Sequence, residues 1–335
     1  MKYVITVDTG TTNTRAILWQ DSQILARDFQ PVGVRDTAIS GSKDKLKNGI
    51  HQAIENVLHD SKVTSHEDVV LLGSGMITSD VGLVEVPHLN APAGFDELAQ
   101  GMVEKVIPEV FDQPFWFVPG IKTNGSNTDP RKVTDMDVMR GEEVEVIGAI
   151  SKLDIQRNAI IILPGSHTKI IKVDGKHRIL GSITSMTGEL LDMITKDSII
   201  ADSVEGKFAD SLEEQPLLLG SQTTKIHGLG QAAFSSRLLG MFTPYTRNQI
   251  ANYVLGAVLA NDVQAIKNTT AFPIAPDDKI YILGKEMLRD ALKLVIDDDS
   301  EIRQEVITDN FAHLSATGTI ELATARGLLK QRAVR

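Results

Sequence analysis

One pattern occurs twice in this chain of 335 residues: an apolar strand, a glycine turn rich in polar groups, and a second strand. The first copy, residues 3–20, turns at Gly10, and the second, residues 159–173, turns at Gly165. Apolar, β-branched runs favour buried strands, and glycine lets the backbone approach a ligand closely. The repeat therefore predicts two similar α/β halves with a ligand cleft between them.

Hydrophobic periodicity predicts the elements around the two turns. The predicted helices are Lys45–His59, Phe95–Val106, Asn248–Asn261, Glu286–Ile296 and Thr319–Lys330. The further strands are Gln23–Phe29, Val69–Leu72, Phe115–Val118, Lys176–Leu180 and Lys279–Leu283. We expect an N-terminal domain over residues 1–150 and a C-terminal domain over residues 151–335, whose last helix packs back on the N-terminal domain.

Composition excludes several classes of protein. The chain has no cysteine, so disulfides, thiolate nucleophiles and cysteine-ligated metals are excluded. The net charge of −10 argues against a nucleic-acid partner, because a cationic surface is what binds phosphate backbones. No signal peptide is visible, and no apolar run approaches the ~18 residues of a membrane span, so we expect a cytoplasmic protein without a membrane partner. A homo-oligomer is left open.

Both turns have the chemistry of a phosphate-binding loop. The first reads Asp8-Thr9-Gly10-Thr11-Thr12-Asn13-Thr14-Arg15, and the second reads Leu163-Pro164-Gly165-Ser166-His167-Thr168-Lys169. Backbone N–H groups and hydroxyls around a glycine form a concavity that suits phosphate oxygens. Asp8 can hold Mg²⁺ through water, since this cation prefers carboxylate oxygens and keeps several waters. Either turn alone is also compatible with a polar hairpin, whereas one in each half suits a polyphosphate held from both sides.

The order of elements and the two turns resemble the actin-like ATPase superfamily, which has two ribonuclease H-like domains and a central cleft. Four blocks in order resemble the 2-keto-3-deoxy-galactonate kinases more closely: Val138-Met-Arg-Gly-Glu-Glu143, Ile147-Gly-Ala149, Leu163–Lys169 and Met186-Thr-Gly-Glu189. The resemblance covers essentially the whole chain. It implies phosphorylation of 2-dehydro-3-deoxy-D-galactonate at its 6-hydroxyl by ATP and Mg²⁺, in galactonate catabolism. A gluconate-derived or other sugar-acid substrate, and a non-catalytic nucleotide-binding module, stay open.

The carboxylates before the second turn are the candidate catalytic bases. Sugar kinases of this superfamily usually carry Gly-Asp-Gln at the start of a helix here, and this chain has Gly141-Glu142-Glu143. Phosphoryl transfer to a sugar needs a carboxylate that accepts the hydroxyl proton. The candidates are Glu142, then Glu143, then Asp137. The two glutamates are also compatible with first-turn carboxylates that complement the helix dipole.

The resemblance also implies positions for the two ligands. The sugar-acid site is expected at Gly75, Met76, Ser79, Arg140 and Glu189, with Glu85 further out. The planar fork of Arg140 suits a substrate carboxylate, and a surface ion pair equally. The adenosine turn is expected at Gly284, although Lys285 and Glu286 replace the small residues usual there.

Other nucleotide folds are excluded by context. Gly228-Leu-Gly-Gln-Ala-Ala233 fits a dinucleotide-binding pattern, but Ser221–His227 before it is too polar for the buried strand this pattern requires. No Walker A sequence occurs. The histidines show no metal-ligand spacing, and His167 is predicted to contact phosphate rather than to catalyse.

Overall fold

The computed structural model describes residues 3–153 and 155–330. The strands of the first half are β1 (Tyr3–Thr9), β2 (Thr14–Gln20), β3 (Gln23–Gln30), β4 (Val69–Gly75), β5 (Leu89–Asn90), β6 (Val103–Ile107), β7 (Phe111–Phe117), β8 (Ile121–Thr123) and β9 (Asp137–Met139). Six of them form one sheet in the order β3-β2-β1-β4-β7-β6, and β5, β8 and β9 form a small second sheet.

The second half repeats this arrangement. Its strands are β10 (Ala159–Leu163), β11 (Thr168–Val173), β12 (Ile179–Ser185), β13 (Lys279–Leu283) and β14 (Val306–Asp309). They form a sheet in the order β12-β11-β10-β13-β14. The central strand of each half, β1 or β10, is antiparallel to the next strand in the chain and parallel to β4 or β13. The predicted fold class, two α/β halves of one topology, is confirmed.

Helices cover the sheets. They are α1 (Val34–Ser40), α2 (Asp44–Asp60), α3 (Phe95–Gly101), α4 (Glu142–Ile150), α5 (Thr187–Asp197), α6 (Ala201–Val204), α7 (Glu214–His227), α8 (Leu229–Phe242), α9 (Arg247–Asn268), α10 (Glu286–Asp297) and α11 (Leu314–Ala325), with 3₁₀ turns at His66–Asp68, Met76–Thr78 and Pro130–Asp135. The predicted stripe of α2, Leu46, Ile50, Ile54 and Leu58, is buried. Within the described part of the chain, no helix has the length and apolar character to cross a membrane.

Helix α11 packs on the first half of the chain, against α4, α3, β1 and β4. Helices α4 and α11 cross at backbone contact, because a Cβ atom on Gly318 would lie 1.8 Å from the Val144 oxygen. Beyond α11, the Arg326 guanidinium donates to the Gln100 oxygen at 2.7 Å. The domain boundaries at 1–150 and 151–335 stay a prediction, and residues 331–335 lie outside the described ones.

Several local predictions were wrong at their ends. The helix expected over Thr319–Lys330 runs over Leu314–Ala325, and the helix expected over Asn248–Asn261 continues to Asn268. The helix expected over Phe95–Val106 ends at Gly101, because Val103–Ile107 forms β6 and pairs with β7. The strand expected over Lys176–Leu180 begins only at Ile179. The Asp174 carboxylate accepts the Lys176 and Arg178 backbone N–H groups, both at 2.9 Å, and so lengthens the turn.

Candidate active site

A first cavity, of about 670 Å³, lies between the two halves. Asp8 and Arg15 line it from the first half, and Gly165, Ser166 and Gly284 line it from the second. The structure thus brings together residues of both predicted phosphate turns and of the predicted adenosine turn. Some predicted residues of the turns stand outside this lining: Gly10, Thr11, Thr12, Asn13, His167, Thr168 and Lys169.

The first turn is a closed hairpin. The Gly10 N–H group donates to the Asn13 oxygen at 2.9 Å. The hydroxyls of Thr9 and Thr14 lie 3.2 Å apart, and the Thr14 hydroxyl donates to the Val32 oxygen at 2.8 Å. These inward bonds hold the turn against the segment that leads into α1.

Helix α1 braces the same turn, which the sequence did not reveal. The Val34 N–H group donates to the Gly10 oxygen at 3.2 Å, and the Arg35 N–H group donates to the Thr11 oxygen at 2.9 Å. A Cβ atom on Gly33 would lie 2.4 Å from the Thr11 oxygen, so only glycine permits this approach. The side chains of Thr11 and Thr12 remain exposed.

Asp8 is the next-to-last residue of β1 and lies opposite Arg15 on β2. Burial raises the pKa of Asp8 to about 6, although Arg15 acts to lower it, and the charge of Glu142 raises it further. A Cβ atom on Gly75, whose φ is +81°, would lie 2.8 Å from Asp8 Oδ1. Gly75 therefore makes room for this carboxylate, and it lines neither cavity, so its predicted contact with a sugar acid stays a prediction.

Glu145 also lines the first cavity, and the sequence reasoning missed it. Burial raises its pKa to about 8, and the charges of Asp8, Glu142 and Glu143 act in the same direction. A signal was available, since residues three apart on a helix share a face and Glu145 follows Glu142 by three. In the part of the chain that the structure describes, no three acidic or histidine side chains could hold a metal by themselves.

The second turn is braced by α5. The Gly188 and Glu189 N–H groups donate to the Gly165 and Ser166 oxygens, both at 3.1 Å. A Cβ atom on Gly188 would lie 2.6 Å from the Gly165 oxygen. Each predicted phosphate turn thus has its carbonyl groups held by the start of a helix.

A second cavity, of about 480 Å³, also lies between the halves. It is lined by Met76, Ser79, Asp80, Glu85, Val86, Pro87, His88, Val138, Arg140, Glu142, His167, Lys169 and Thr184. Both cations and carboxylates face this space, so it suits a polar ligand. Glu189 stands outside the lining but contacts it, because the His167 Nε2 atom lies 2.8 Å from Glu189 Oε2.

Arg140 joins this cavity to the segment after β4. Its guanidinium donates to the Thr78 oxygen at 2.6 Å and to the Val86 oxygen at 3.0 Å, and lies 3.1 Å from His88 Nδ1. Burial and the charges of Arg140 and Lys122 lower the pKa of His88 to about 4, so the ring is neutral and accepts at Nδ1. Within residues 3–153 and 155–330, no carboxylate forms an ion pair with Arg140.

The three candidate bases have different surroundings. Glu142 lines the second cavity, and its Oε2 atom accepts a hydrogen bond from the Arg140 backbone N–H group at 3.0 Å. Glu143 is fully buried, lines neither cavity, and has its pKa raised to about 8 by burial. Asp137 accepts the Ser182 hydroxyl at 2.5 Å and pairs with Lys169 at 3.4 Å. Of the three, Glu142 alone lines a cavity.

Comparisons with known proteins identify relatives of this chain. A protein of Rhizobium meliloti named as a probable 2-dehydro-3-deoxygalactonokinase is 29% identical over 203 residues, which cover 60% of this chain and 59% of that relative. The 2-dehydro-3-deoxygalactonokinase of Escherichia coli is 25% identical over 273 residues, which cover 80% and 81% of the two chains. The match therefore spans less than two thirds of the first relative and about four fifths of the second.

Solved structures and family models extend the comparison. The crystal structure of a Sinorhizobium meliloti protein assigned as a 2-dehydro-3-deoxygalactonokinase has a TM-score of 0.77 and 21% identity, and the match covers 99% of this chain and all of that one. This likeness shows the fold. The model of the 2-keto-3-deoxy-galactonokinase family matches residues 8–314, which is most of the chain and includes both turns. The chain belongs to the 2-keto-3-deoxy-galactonokinase family.

Proposed function

We propose that this chain transfers the γ-phosphate of ATP to the 6-hydroxyl of 2-dehydro-3-deoxy-D-galactonate, as a cytoplasmic kinase of galactonate catabolism. Family membership supports the kinase activity, and the names of the two relatives support the acceptor. One observation carries the proposal for this chain's own residues. Residues of both predicted phosphate turns line one cavity, namely Asp8 and Arg15 of the first and Gly165 and Ser166 of the second, while Glu142 and Arg140 line a second cavity between the same two halves.

ATP is proposed to bind in the first cavity. Gly165 and Ser166 offer backbone groups to its phosphates, as the concave turns of phosphate sites do. Gly284 directly follows β13 and has a φ of +135°, a backbone conformation that favours glycine. Because glycine has no side chain, the backbone can approach the proposed nucleoside closely. Residues 310, 311 and 313–316, which follow β14, line the same cavity, and they are the proposed adenosine contacts that the sequence did not indicate.

Mg²⁺ is proposed to bind beside Asp8. The carboxylates of Asp8 and Glu145 both line the first cavity, and burial raises the pKa of each, so a bound cation would favour their charged forms. Carboxylate oxygens together with retained water and phosphate oxygens are the donor set that Mg²⁺ prefers. When bound, the ion would neutralise negative charge on the phosphate oxygens.

The sugar acid is proposed to bind in the second cavity, beside Met76 and Ser79. Arg140 is the proposed partner of its carboxylate. Among the described residues, the terminal nitrogens of this guanidinium bond to uncharged groups such as the Thr78 and Val86 oxygens and form no ion pair, whereas the Lys169 ammonium group is already paired with Asp137. Glu142 accepts the proton of the 6-hydroxyl while that oxygen attacks the γ-phosphorus and ADP leaves. Glu143 is fully buried with its pKa raised to about 8, and both Asp137 oxygens accept hydroxyl hydrogen bonds, so these two residues are proposed to have structural roles.

Replacing Glu142 with Gln tests the assignment of the base. General-base catalysis contributes roughly 10²–10⁴-fold, so turnover in an ADP-release assay should fall by that factor while ATP affinity changes less than about twofold. Glu143→Gln is the matched control on the neighbouring residue and should keep turnover within about tenfold. Near-wild-type turnover of Glu142→Gln would move the role to one of the other two carboxylates.

An acceptor panel separates the proposed substrate from the alternatives. The galactonate-derived acid and its gluconate-derived epimer differ at C4, which the lining of the second cavity does not distinguish by charge. The higher kcat/KM should belong to the galactonate-derived acid. ATP binding without stimulated ADP release by any keto-deoxy sugar acid would instead support a non-catalytic nucleotide-binding module.

A homo-oligomer is proposed as well, with α8 as its contact. Phe234, Leu238, Met241 and Phe242 of this helix are exposed, and α8 contains no acidic residue. In a chain of net charge −10, such an apolar face without acidic residues lets a second copy pack without repulsion between negative charges. Sedimentation velocity measures the oligomeric state.

A further inference from the structure

Asp262 is a buried carboxylate within α9, 75 residues along the chain from its partner Thr187. Its side chain is fully buried, and its oxygens lie 2.9 and 2.7 Å from the Thr187 hydroxyl, which donates to them. Burial raises the pKa of Asp262 to about 6, although hydrogen bonds from the side chains of Ser185, Thr187 and Thr168 act to lower it. A carboxylate is rarely buried without a specific partner, because removing it from water is costly. Neither cavity is lined by Asp262, and the proposed mechanism does not use it.

Thr187 is the first residue of α5, the helix that braces the second phosphate turn. This helix has no side-chain cap. The N–H groups of its next two residues, Gly188 and Glu189, instead donate to the Gly165 and Ser166 oxygens. A chain of direct contacts therefore runs from Asp262 through Thr187 and the first turn of α5 to the phosphate turn.

These contacts decide which way the peptide groups of the turn point. In a trans peptide the C=O and N–H bonds point in opposite directions. Because the Gly165 and Ser166 carbonyls point at α5, the N–H groups of Ser166 and His167 point away from that helix. Gly165 and Ser166 line the first cavity, so the brace sets the orientation of N–H groups at the proposed phosphate site.

We propose that Asp262 is a positioning residue for the nucleotide: through Thr187 and α5, it fixes the orientation of the N–H groups of the second phosphate turn. This inference rests on the proposed binding of ATP in the first cavity. It predicts that loss of the Thr187–Asp262 contact weakens nucleotide binding more than sugar-acid binding, because Gly165 and Ser166 line the first cavity, whereas the braced peptides reach the second cavity only at His167.

Thr187→Val tests the inference, since valine keeps the shape of threonine and removes the hydroxyl donor. By isothermal titration calorimetry without sugar acid, the dissociation constant of MgATP should rise roughly tenfold, the size of one lost hydrogen bond to a charged group. The dissociation constant of the sugar acid alone should change less than about twofold. Thr187→Ser should restore ATP binding, and Asp262→Asn, which keeps an acceptor oxygen, should give an intermediate value.

Thr195→Val is the matched control for the stability of α5. Thr195 is also buried, and its hydroxyl donates to the Leu191 oxygen at 2.7 Å, within the same helix but away from its first turn. This variant should bind MgATP as the wild type does. Equal weakening by both valine variants, or none by Thr187→Val in a folded protein, would overturn the inference while wild-type ATP binding still supports the proposed function. A wild-type chain that binds no MgATP would overturn both.

Discussion

The two halves share one topology but distribute charge differently at their phosphate turns. In the first half, Asp8 and Arg15 face each other across β1 and β2. In the second half, Leu163 and Lys169 hold the corresponding positions on β10 and β11. The first hairpin therefore contains its own pair of opposite charges, whereas the Lys169 ammonium group has no carboxylate across its hairpin and reaches Asp137 of the first half.

This difference separates what the repeated fold supplies from what single residues supply. Both halves provide a glycine turn whose carbonyl groups are bonded to a helix, α1 or α5. The proposed phosphate cradle is therefore a property of the backbone, and its geometry occurs twice. The carboxylate proposed for a cation belongs to one of the two hairpins, at Asp8, while the lysine of the second half connects the two halves.

Among the variants that test this difference between the two turns, Asp8→Asn is expected to have the largest effect. If the first turn alone provides the proposed Mg²⁺ carboxylate, turnover should fall by roughly 10³-fold, as when a group that stabilises transition-state charge is removed. An ADP-release assay at saturating MgATP measures it. Turnover above a tenth of the wild-type value would contradict a special role for the first turn.

The same variant should be more stable than the wild type at alkaline pH. Because burial raises the pKa of Asp8 to about 6 from 3.8, the native state holds this proton longer than the unfolded state, and stability falls as pH rises through that range. Asparagine does not titrate, so its free energy of unfolding should exceed that of the wild type by roughly 1–3 kcal/mol at pH 8. The advantage should shrink toward pH 4. Urea unfolding at both pH values checks the sign.

Sequence alone could predict what short stretches encode. The turns at Gly10 and Gly165 and the apolar stripe of α2 each depend on neighbours within a few residues, and these predictions were confirmed. The contacts of Lys169 with Asp137 and of Thr187 with Asp262 join residues 32 and 75 positions apart. Such pairs exist only after the sheets and helices have assembled, so no local pattern indicates them.

The choice among the glutamates of α4 shows a second limit. Consecutive residues on a helix point about 100° apart, so Glu142 and Glu143 cannot both face one cavity. Sequence identified the pair but not the direction of either side chain. In the structure, Glu142 lines the second cavity and Glu143 is buried. Which side of α4 is buried depends on its packing against α11.

A smaller effect is expected from Lys169→Met. The side chains of Lys169 and Asp137 are only 6% and 10% exposed, so the variant leaves a buried carboxylate without its cation and should lower the free energy of unfolding by about 3 kcal/mol. Arg15→Met is the matched control in the first hairpin, where the residue is exposed, and should cost less than about 1 kcal/mol. Chemical unfolding measures both. Equal losses would show that the two cations have equivalent roles.

The smallest effect concerns the crossing of α4 and α11, where the two halves meet at backbone contact. A Cβ atom on Gly318 would lie 1.8 Å from the Val144 oxygen, so Gly318→Ala must push the helices apart and should lower the free energy of unfolding by about 2 kcal/mol. Gly230→Ala in α8 is the control, since nothing lies within 4 Å of its added Cβ and alanine favours a helix by roughly 0.5–1 kcal/mol. Opposite signs for the two variants in chemical unfolding are expected. If both stabilise, the helices do not need close contact, and the side-chain pair of Lys169 and Asp137 has the larger part in joining the halves.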